Sequence, residues 1–369
     1  MEKRINSKQN RRQFLRQVSG VPWLMTGGVG LVGSALSAKQ GGKIKVGQIG
    51  TMHAHASGKI QSLRTLSDLY EVVGVVEADP LARVAAQKKS SFRGLPFMSE
   101  EALLNTPGLQ AVAVETKVEQ LVPTAMRCLQ AGYHIHLDKP AGESMSACRR
   151  MHALAGEKKR TIQMGYMFRY NSGFEFLFDV LEKGWLGEVR EVTGMIGKLA
   201  GPDLRRGLAQ FQGGGMFELA CHLIDAVVTV LGPPDSVSPF SRRTHREIDS
   251  AADNQLAVFE YPKAIASVRC NHLDPFGFPR RQFNVTGENG TLEIRPLEAP
   301  RVRMAVDRPQ GPYEKGFLEV SLPAMTGRYD GEFRDLAKVI LGDKALAWGS
   351  EHDLAVHEAV LRASGMPVD

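Results

Sequence analysis

The chain has 369 residues and a formal net charge of +6, with 43% hydrophobic and 23% charged residues. This composition is typical of a soluble globular protein and excludes a disordered or fibrous chain, and the length is enough for two ordinary domains. Residues 1–38 hold six basic side chains and one acidic one, a net charge of +5, which leaves +1 for the remainder. A nearly neutral body lacks the basic surface that nucleic acid requires, so no nucleic-acid partner is predicted.

The amino-terminal segment, residues 1–38, has the layout of an export signal. Arg11 and Arg12 precede a mildly apolar run, residues 18–38, which contains glycines and ends in small residues. This pattern resembles a twin-arginine signal peptide. It predicts recognition by the twin-arginine (Tat) export machinery, a periplasmic location and no stable membrane insertion after cleavage. The alternative is a membrane anchor formed by residues 18–38, although the glycines make that run weakly hydrophobic.

After residue 38, short apolar segments of strand length alternate with segments of helix length. The predicted strands are Ile44–Ile49, Val72–Val76, Ala111–Val114, Tyr133–Leu137 and Thr161–Gly165. The predicted helices are Ala56–Leu69, one from about Pro80, one from about Gln120 to Ala131, and one around Met145–Glu157. Apolar strands in βαβ alternation are typical of a parallel, doubly wound sheet. Residues 39–165 are therefore predicted to form an α/β domain of the Rossmann type.

Beyond residue 165 the pattern changes to one long apolar helix, Met216–Leu231, followed by several short strands. The predicted strands are Gln255–Tyr261, Ile265–Asn271, Gln282–Thr286 and Thr291–Ile294. Turn residues join them, which favours a mainly antiparallel sheet in a second domain over residues 166–330. Residues 331–369 are predicted to be helical and to return to the first domain.

The first predicted strand ends in a turn that begins at Gly50 and leads into a helix. In dinucleotide-binding folds this turn has the spacing G-x-G-x-x-G, which lets backbone amides and the helix amino terminus approach a pyrophosphate. Only Gly50 fits that spacing here, because Met52 and His55 stand where the second and third glycines are expected. The turn therefore matches the nucleotide-binding fingerprint in part.

Glu77 ends the second predicted strand, 27 residues after Gly50. An acidic residue at this place in a βαβ unit binds the ribose hydroxyls of the nucleotide. A carboxylate there also repels a 2′-phosphate, so NAD is predicted in preference to NADP. The alternative interpretation is a solvated charge at the end of a strand.

The pair His53 and His55 raises the question of a metal. A His-x-His after a first strand also occurs in metal-dependent hydrolases of the barrel type, and the spacing recurs at residues 134–136. Asp138 and Glu115 could supply carboxylate ligands. Five parallel strands followed by an antiparallel region do not form an eight-stranded barrel, however, so no metal is predicted.

Lys139 directly follows the fourth predicted strand, between Asp138 and Pro140. The carboxyl ends of parallel strands form the ligand crevice of such a sheet, which places Asp138 and Lys139 there. Pro140 biases Lys139 toward an extended backbone and so restricts where its ammonium points. A lysine beside a reacting C–O bond can donate a hydrogen bond to a developing alkoxide. The alternative is a lysine in an ordinary loop.

The predicted helix Met216–Leu231 is apolar except at Glu218, His222, Asp225 and Thr229. Their spacings of four, three and four residues place them on one face of a helix. A carboxylate one turn before a histidine can orient or charge the imidazole as an acid–base group. Spacing leaves open whether this face lines a cavity or faces solvent.

Three motifs together resemble the glucose–fructose oxidoreductase/inositol dehydrogenase (Gfo/Idh/MocA) family. They are Asp138-Lys139-Pro140, the segment from Gly165 to Tyr170, and Gly213-Gly214-Gly215 followed by Glu218, His222 and Asp225. The resemblance implies a Rossmann domain and a second α/β domain with an open, mainly antiparallel sheet. That sheet is often an oligomer interface, so a homo-oligomer is expected. It also implies reversible hydride transfer between a sugar or polyol carbon and a nicotinamide cofactor.

The resemblance also implies roles for residues at matching positions. Lys139 would orient the reacting oxygen, His222 would accept or donate the proton, and Glu218 would support both. The implied cofactor-binding residues are Gly50, Thr51, Met52, Glu77, Thr116, Asp138 and Lys139. The implied substrate contacts are Arg169, Tyr170 and Asp225. The chain departs from the family pattern at Met52, which replaces a glycine, and at Lys117, where the family usually has proline.

These observations lead to the hypothesis of an exported oxidoreductase that acts on a carbohydrate-like secondary alcohol with tightly bound NAD. Free nicotinamide nucleotide is scarce outside the cytoplasm, so retention of the cofactor through the reaction cycle is expected. Two alternatives stay open. One is a redox-neutral, NAD-dependent glycosidase on the same fold, and the other is a non-catalytic module that binds carbohydrate or nucleotide.

Overall fold

The structure is a computed structural model that describes residues 42–369, so the predicted export signal lies outside the described residues. In the first part of the chain, strands and helices alternate as predicted. The strands are β1 (Ile44–Ile49), β2 (Tyr70–Val76), β3 (Phe97–Met98), β4 (Leu109–Val114), β5 (His134–Leu137) and β6 (Ile162–Met164). The helices are α1 (Ala56–Thr65), α2 (Pro80–Gln87), α3 (Glu100–Leu104), α4 (Val118–Gln130) and α5 (Met145–Lys158).

The first sheet has the strand order β3-β2-β1-β4-β5-β6, and all of its pairs are parallel. This is the order of a dinucleotide-binding sheet, in which ligands bind where the order reverses, between β1 and β4. The predicted Rossmann fold is thus confirmed. The short elements β3 and α3 could not be predicted, because elements of two and five residues show no readable hydrophobic period.

The second part of the chain builds a mixed sheet of eight strands in the order β14-β13-β12-β11-β7-β10-β9-β8. Strands β7 and β10 are parallel, and the other neighbours are antiparallel. This confirms an α/β fold with an open, mainly antiparallel second sheet. The strands are β7 (Val189–Gly197), β8 (Ser236–Arg242), β9 (Asn254–Glu260), β10 (Ile265–Asn271), β11 (Gln282–Gly287), β12 (Gly290–Ile294), β13 (Val302–Val306) and β14 (Gly316–Val320).

The helices of this part are α6 (Ser172–Glu182), α7 (Pro202–Leu208), α8 (Gly214–Glu218), α9 (Cys221–Leu231), α10 (Asp330–Ile340) and α11 (Ser350–Ala363). The last two helices contact the first sheet domain. The ammonium of Lys59 on α1 lies 2.5 Å from the carboxylate of Glu332 on α10, and Ser62 donates to Asp330 at 2.7 Å. Between residues 42 and 369, no helix is both long and apolar enough to cross a membrane.

The prediction of one continuous helix over Met216–Leu231 is wrong. The helix breaks between α8 and α9, where the amides of Leu219 and Ala220 both donate to the carbonyl of Gly215. In an unbroken helix the Glu218 carbonyl would accept the amide four residues later. Here it accepts the ammonium of Lys139 at 2.5 Å instead. Glu218 and His222 therefore lie on two successive helices, and the break makes the Glu218 carbonyl available to the first domain.

Candidate functional site

Lys139 lies where the carboxyl end of β5 meets the break between α8 and α9. Its ammonium contacts the Glu218 carbonyl at 2.5 Å and the Glu218 carboxylate at 3.2 Å. The Lys139 side chain is 1% exposed and that of Glu218 is 19% exposed. The Lys139–Pro140 peptide bond is cis. The structure thus brings Lys139 and Glu218 together, as the motif pair predicted, but through a backbone carbonyl as well as the ion pair.

Burial works against the charge on both members of this pair, but each is held ionised by the other. Burial lowers the pKa of Lys139, yet the Glu218 carboxylate more than offsets this and the pKa lies above its ordinary value. Burial likewise raises the pKa of Glu218, but the Lys139 ammonium brings it down to about 2. At neutral pH Lys139 is therefore a buried, charged hydrogen-bond donor.

His222 lies in the first turn of α9, with its side chain almost completely buried. Its ring centroid is 5.6 Å from that of Phe168, 6.0 Å from Tyr166 and 5.7 Å from His55. Neither ring nitrogen has a hydrogen-bond partner. Burial first, and then the charge of Lys139, lower the pKa of His222 well below its ordinary value. The ring is a neutral imidazole that can accept a proton.

Gly50, which ends β1, has a backbone conformation that only glycine adopts without strain. Its φ is +96°, and a Cβ atom there would lie 2.5 Å from the carbonyl carbon of Glu115 and 2.5 Å from the amide nitrogen of Thr116. The close approach joins the carboxyl ends of β1 and β4, where the strand order reverses. The predicted turn glycine and Thr116 therefore lie side by side.

Replacing Gly50 with Ala is expected to destabilise the fold by about 2 to 5 kcal/mol, because backbone strain and a clash with the Glu115–Thr116 peptide add together. Gly94→Ala is the matched control. Gly94 has a φ of +77° but open space around it, so only the strain of about 1 kcal/mol applies. Denaturant unfolding of both variants measures the difference. Equal losses of unfolding free energy in the two variants would show that the close approach at Gly50 does not contribute to stability.

The loop after Gly50 retains groups that could hold a dinucleotide. Thr51 donates from its amide at 2.9 Å and from its hydroxyl at 2.6 Å to the Glu77 carboxylate. Within residues 42–369, the amides of Met52 and Ala54 donate to no partner, and α1 begins without a side-chain cap. Free amides at a helix amino terminus fit a pyrophosphate, and the Glu77 carboxylate fits ribose hydroxyls. The loop fits the cofactor predicted from the sequence, and the 44% exposed side chain of Met52 lies at its rim.

The structure also assembles a buried group that we call the histidine–carboxylate cluster: His53, His55, Glu115 and Asp138. The Asp138 Oδ2 atom lies 2.9 Å from His53 Nδ1 and 3.1 Å from His55 Nδ1, and the Glu115 carboxylate lies 3.8 Å from His53 Nδ1. From the sequence, a metal site at these four residues is expected only in a barrel that brings them together. The Rossmann sheet does so as well, because β1, β4 and β5 are neighbours and their carboxyl ends meet. Asp138 is consequently enclosed beneath the loop, and its assignment as a cofactor contact stays a prediction.

Arg169 and Asp225, predicted to contact substrate, form a buried ion pair with a third residue. The Arg169 guanidinium lies 2.6 Å from the Asp225 carboxylate and 2.7 Å from that of Asp353, and all three side chains are at most 3% exposed. The Tyr170 hydroxyl donates to Asp335 at 3.0 Å. These bonds tie the segment after β6 to α9, α10 and α11. Contact of these residues with substrate stays a prediction.

Two residues near the site lie in segments to which the sequence analysis assigned no function. The ring of Tyr329 lies 5.5 Å from that of His55. Lys198 follows β7, and burial lowers its pKa against the opposing effect of the Glu218 carboxylate. Neither residue belongs to a motif with readable spacing. Folding brings Tyr329 to His55 of the first domain and Lys198 to the Glu218 carboxylate.

Two family models match the chain and together cover well over half of it. One, described as an oxidoreductase family with an NAD-binding Rossmann fold, matches residues 44–166. The other, described as the Gfo/Idh/MocA C-terminal domain, matches residues 174–293. The resemblance drawn from the sequence motifs is thus confirmed.

Curated relatives include the oxidoreductase YhhX of Escherichia coli, which is 28% identical over 197 residues. That match spans 52% of this chain and 54% of the relative, so the chain covers about half the length of YhhX. The inositol 2-dehydrogenase of Salmonella typhimurium is 24% identical over 302 residues, which is 80% of this chain and 83% of the relative.

Solved structures with the same fold include two sugar-related enzymes. The aldose-aldose oxidoreductase of Caulobacter crescentus aligns with a TM-score of 0.74 at 18% identity, over 88% of this chain and 98% of that chain. The WlbA dehydrogenase of Bordetella pertussis, crystallised with NADH and UDP-GlcNAcA, aligns with a TM-score of 0.70 at 20% identity, over 89% and 100%. From its matches to both family models, this chain belongs to the Gfo/Idh/MocA family of NAD-binding oxidoreductases.

Proposed function

We propose that this protein is an exported oxidoreductase that transfers a hydride between the secondary alcohol of a sugar- or polyol-like substrate and a tightly bound NAD. The observation that carries the proposal is that a charged, buried Lys139 ammonium lies near enough to the neutral His222 ring to add to burial in lowering its pKa, and that neither nitrogen of that ring has a partner. These are a hydrogen-bond donor for an alkoxide and an acceptor for a proton, the two groups that oxidation of an alcohol requires. The names of the inositol and aldose relatives support a sugar-like substrate.

Three residues of the chain, Lys139, His222 and Glu218, would each have a distinct role in the reaction. Lys139 donates a hydrogen bond to the reacting hydroxyl oxygen and stabilises the negative charge that develops there. His222 accepts the hydroxyl proton on a ring nitrogen and returns it in the reverse direction. Glu218 holds the ammonium in place through its carboxylate and its carbonyl. The bound nicotinamide supplies the hydride acceptor.

Retention of NAD rests on the loop between β1 and α1. The free amides of Met52 and Ala54 and the amino terminus of α1 would hold the pyrophosphate, and Glu77 with Thr51 would hold the ribose. A carboxylate at Glu77 disfavours the 2′-phosphate of NADP. Retention suits export, because a folded protein carries its cofactor with it. A first substrate would then reduce the cofactor and a second would reoxidise it.

The test is the nucleotide content of the purified full-length protein. Denaturation should release NAD in near-stoichiometric amount, identified by its mass, and calorimetry on nucleotide-free protein should show tighter binding of NAD than of NADP. A panel of aldoses and polyols should then include one that reduces the bound cofactor. Absence of nicotinamide from the protein, together with no binding by calorimetry, would contradict the proposal.

The open face of the second sheet supports the expected homo-oligomer. Ile265 is 59% exposed and Phe317 is 80% exposed on this face, beside the polar side chains of Glu191 and Thr193. Exposed apolar side chains on a broad sheet are typical of an interface between subunits. Light scattering of the purified protein measures the mass of the assembly.

A further inference from the structure

We propose that the histidine–carboxylate cluster, His53, His55, Asp138 and Glu115, binds a divalent transition-metal ion. The proposal goes beyond hydride transfer, since a metal at this place and NAD on the loop amides do not depend on each other. Two imidazoles with one or two carboxylates are a typical donor set for Zn²⁺, Fe²⁺ and Mn²⁺.

The spacing of the donor atoms fits one ion. Ligands at 2.0–2.2 Å from a tetrahedral metal lie about 3.4 Å from each other. In the cluster, Asp138 Oδ2 is 2.9 Å from His53 Nδ1 and 3.1 Å from His55 Nδ1, and Glu115 Oε2 is 3.8 Å from His53 Nδ1. One ligand atom from each of His53, His55 and Asp138 lies within 4.8 Å of the others. The three separations involving Asp138 Oδ2 or Glu115 Oε2 thus differ from the ideal value by about 0.3 to 0.5 Å.

The hydrogen bonds of His53 leave a lone pair facing a carboxylate. Its Nε2 atom lies 3.0 Å from the carbonyl of Lys139, which can only accept, so Nε2 carries the proton. Its Nδ1 atom accepts the backbone amide of His55 at 3.3 Å, so Nδ1 carries a lone pair. That lone pair lies 2.9 Å from Asp138 Oδ2. Two acceptors at this distance repel each other unless a cation lies between them.

The bond from His53 to the Lys139 carbonyl is also what a metal ligand needs. Histidines that bind metals donate their second ring N–H to a carbonyl or carboxylate, which fixes the tautomer and orients the ring. The other oxygen of Asp138 is oriented similarly, because Oδ1 accepts the amide of Lys139 at 2.7 Å. Both ligands are thus held in place before any ion arrives.

Glu115 supplies an independent observation. Its side chain is 0% exposed, and neither carboxyl oxygen has a hydrogen-bond partner. A buried acceptor without a partner is costly, and native structures rarely keep one without a water, an ion or a function. Its Oε2 atom is directed toward the same His53 nitrogen as Asp138. A cation at that position would satisfy both carboxylates and both imidazoles.

A shared proton is the competing arrangement. It would make His53 an imidazolium whose Nδ1–H donates to Asp138, but the amide of His55 would then point at another N–H. Burial, and then the neighbouring Asp138 carboxylate, raise the pKa of Glu115 well above its ordinary value, so in this arrangement Glu115 would be a neutral carboxyl group. His55 Nδ1 lies 3.2 and 3.1 Å from the two Asp138 oxygens, a contact that fits either arrangement. What favours the metal is the amide of His55, which points at His53 Nδ1 and so requires a lone pair there.

The experiment measures metal content and affinity in the full-length protein. The protein is stripped with a chelator, dialysed and titrated with Zn²⁺ alone, followed by calorimetry and by elemental analysis after desalting. We expect about one equivalent retained per chain. Asp138→Asn and His55→Gln should each weaken binding by 100-fold or more, in line with loss of a ligand. His245→Gln is the matched control, because the His245 side chain is 45% exposed and lies outside the cluster, and it should bind as the parent does.

A second measurement uses only the parent protein, so it does not depend on whether the variants fold. Co²⁺ added to the stripped parent should give the visible absorption of a low-symmetry nitrogen- and oxygen-ligated site, and Zn²⁺ should displace it and raise the Tm. Retention of no ion by the parent, or equal binding by the parent and both ligand variants, would overturn the proposal. Nicotinamide content, measured on the parent protein and on His245→Gln, tests the oxidoreductase function separately.

Discussion

Replacing Lys139 with Met is expected to lower kcat by roughly 10³-fold, because the variant loses the only charged donor that we place against the reacting oxygen. Met keeps much of the volume of the buried side chain. Because the family resemblance also implies a cofactor contact for Lys139, the nicotinamide content of the variant is measured first and kcat is taken for the cofactor-loaded fraction. Turnover with whichever sugar or polyol reduces the parent's cofactor, measured by the absorbance of reduced nicotinamide, gives the result.

The single variant also leaves the Glu218 carboxylate without its cation. Some loss of stability is therefore expected in addition to the loss of rate. The double variant Lys139→Met/Glu218→Gln removes both charges and should recover stability without recovering kcat. If the double variant regained turnover, or if Lys139→Met kept it, Lys139 would be a positioning residue for the break between α8 and α9 and not a catalytic one.

Replacing Arg169 with Met is expected to cost about 3 to 5 kcal/mol of unfolding free energy, because two buried carboxylates, Asp225 and Asp353, lose their common cation. Arg206→Met is the matched control. Arg206 pairs with Asp203, and the two side chains are 70% and 94% exposed, so no measurable change is expected. Urea unfolding of both variants measures the contrast.

The same variant separates two roles for Arg169. If Arg169 contacts substrate, as the family resemblance implies, Arg169→Met should raise the KM of the protein that remains folded. A purely structural role predicts an unchanged KM in that folded protein. A change in KM with unaltered unfolding would contradict the structural role. A loss of stability with unaltered KM in the surviving folded protein would contradict substrate contact.

Much of the first domain could be predicted because its signals are local. The apolar strands from Ile44–Ile49 onward carry their own hydrophobic pattern, and Gly50 and Glu77 stand at strand ends that the pattern defines. Short elements such as β3 could not be predicted, since two residues have no period. In the second domain, β7 could not be predicted because its apolar side chains, at positions 189, 192, 195 and 196, do not recur at every second residue.

The broken helix shows where local periodicity misleads. The apolar pattern of Met216–Leu231 is continuous, yet the backbone breaks after Glu218. At the break, the Glu218 carbonyl accepts the ammonium of Lys139, a residue about 80 positions earlier in the chain. A hydrogen-bond partner from another domain cannot be predicted from the spacing of the helix's own residues.

Lys139, Glu218 and His222 could be named as candidates from the sequence, because their motifs resemble those of the family, and their catalytic roles stay a prediction. The charge state and exposure of these side chains could not be predicted, because a pKa depends on burial and on the partner that folding places beside the group. The histidine–carboxylate cluster illustrates the same limit. The sequence holds His53, His55, Glu115 and Asp138 at three separate strand ends. Only the order β1-β4-β5 in the folded sheet brings them together, because hydrogen bonding between strands sets which ends are neighbours.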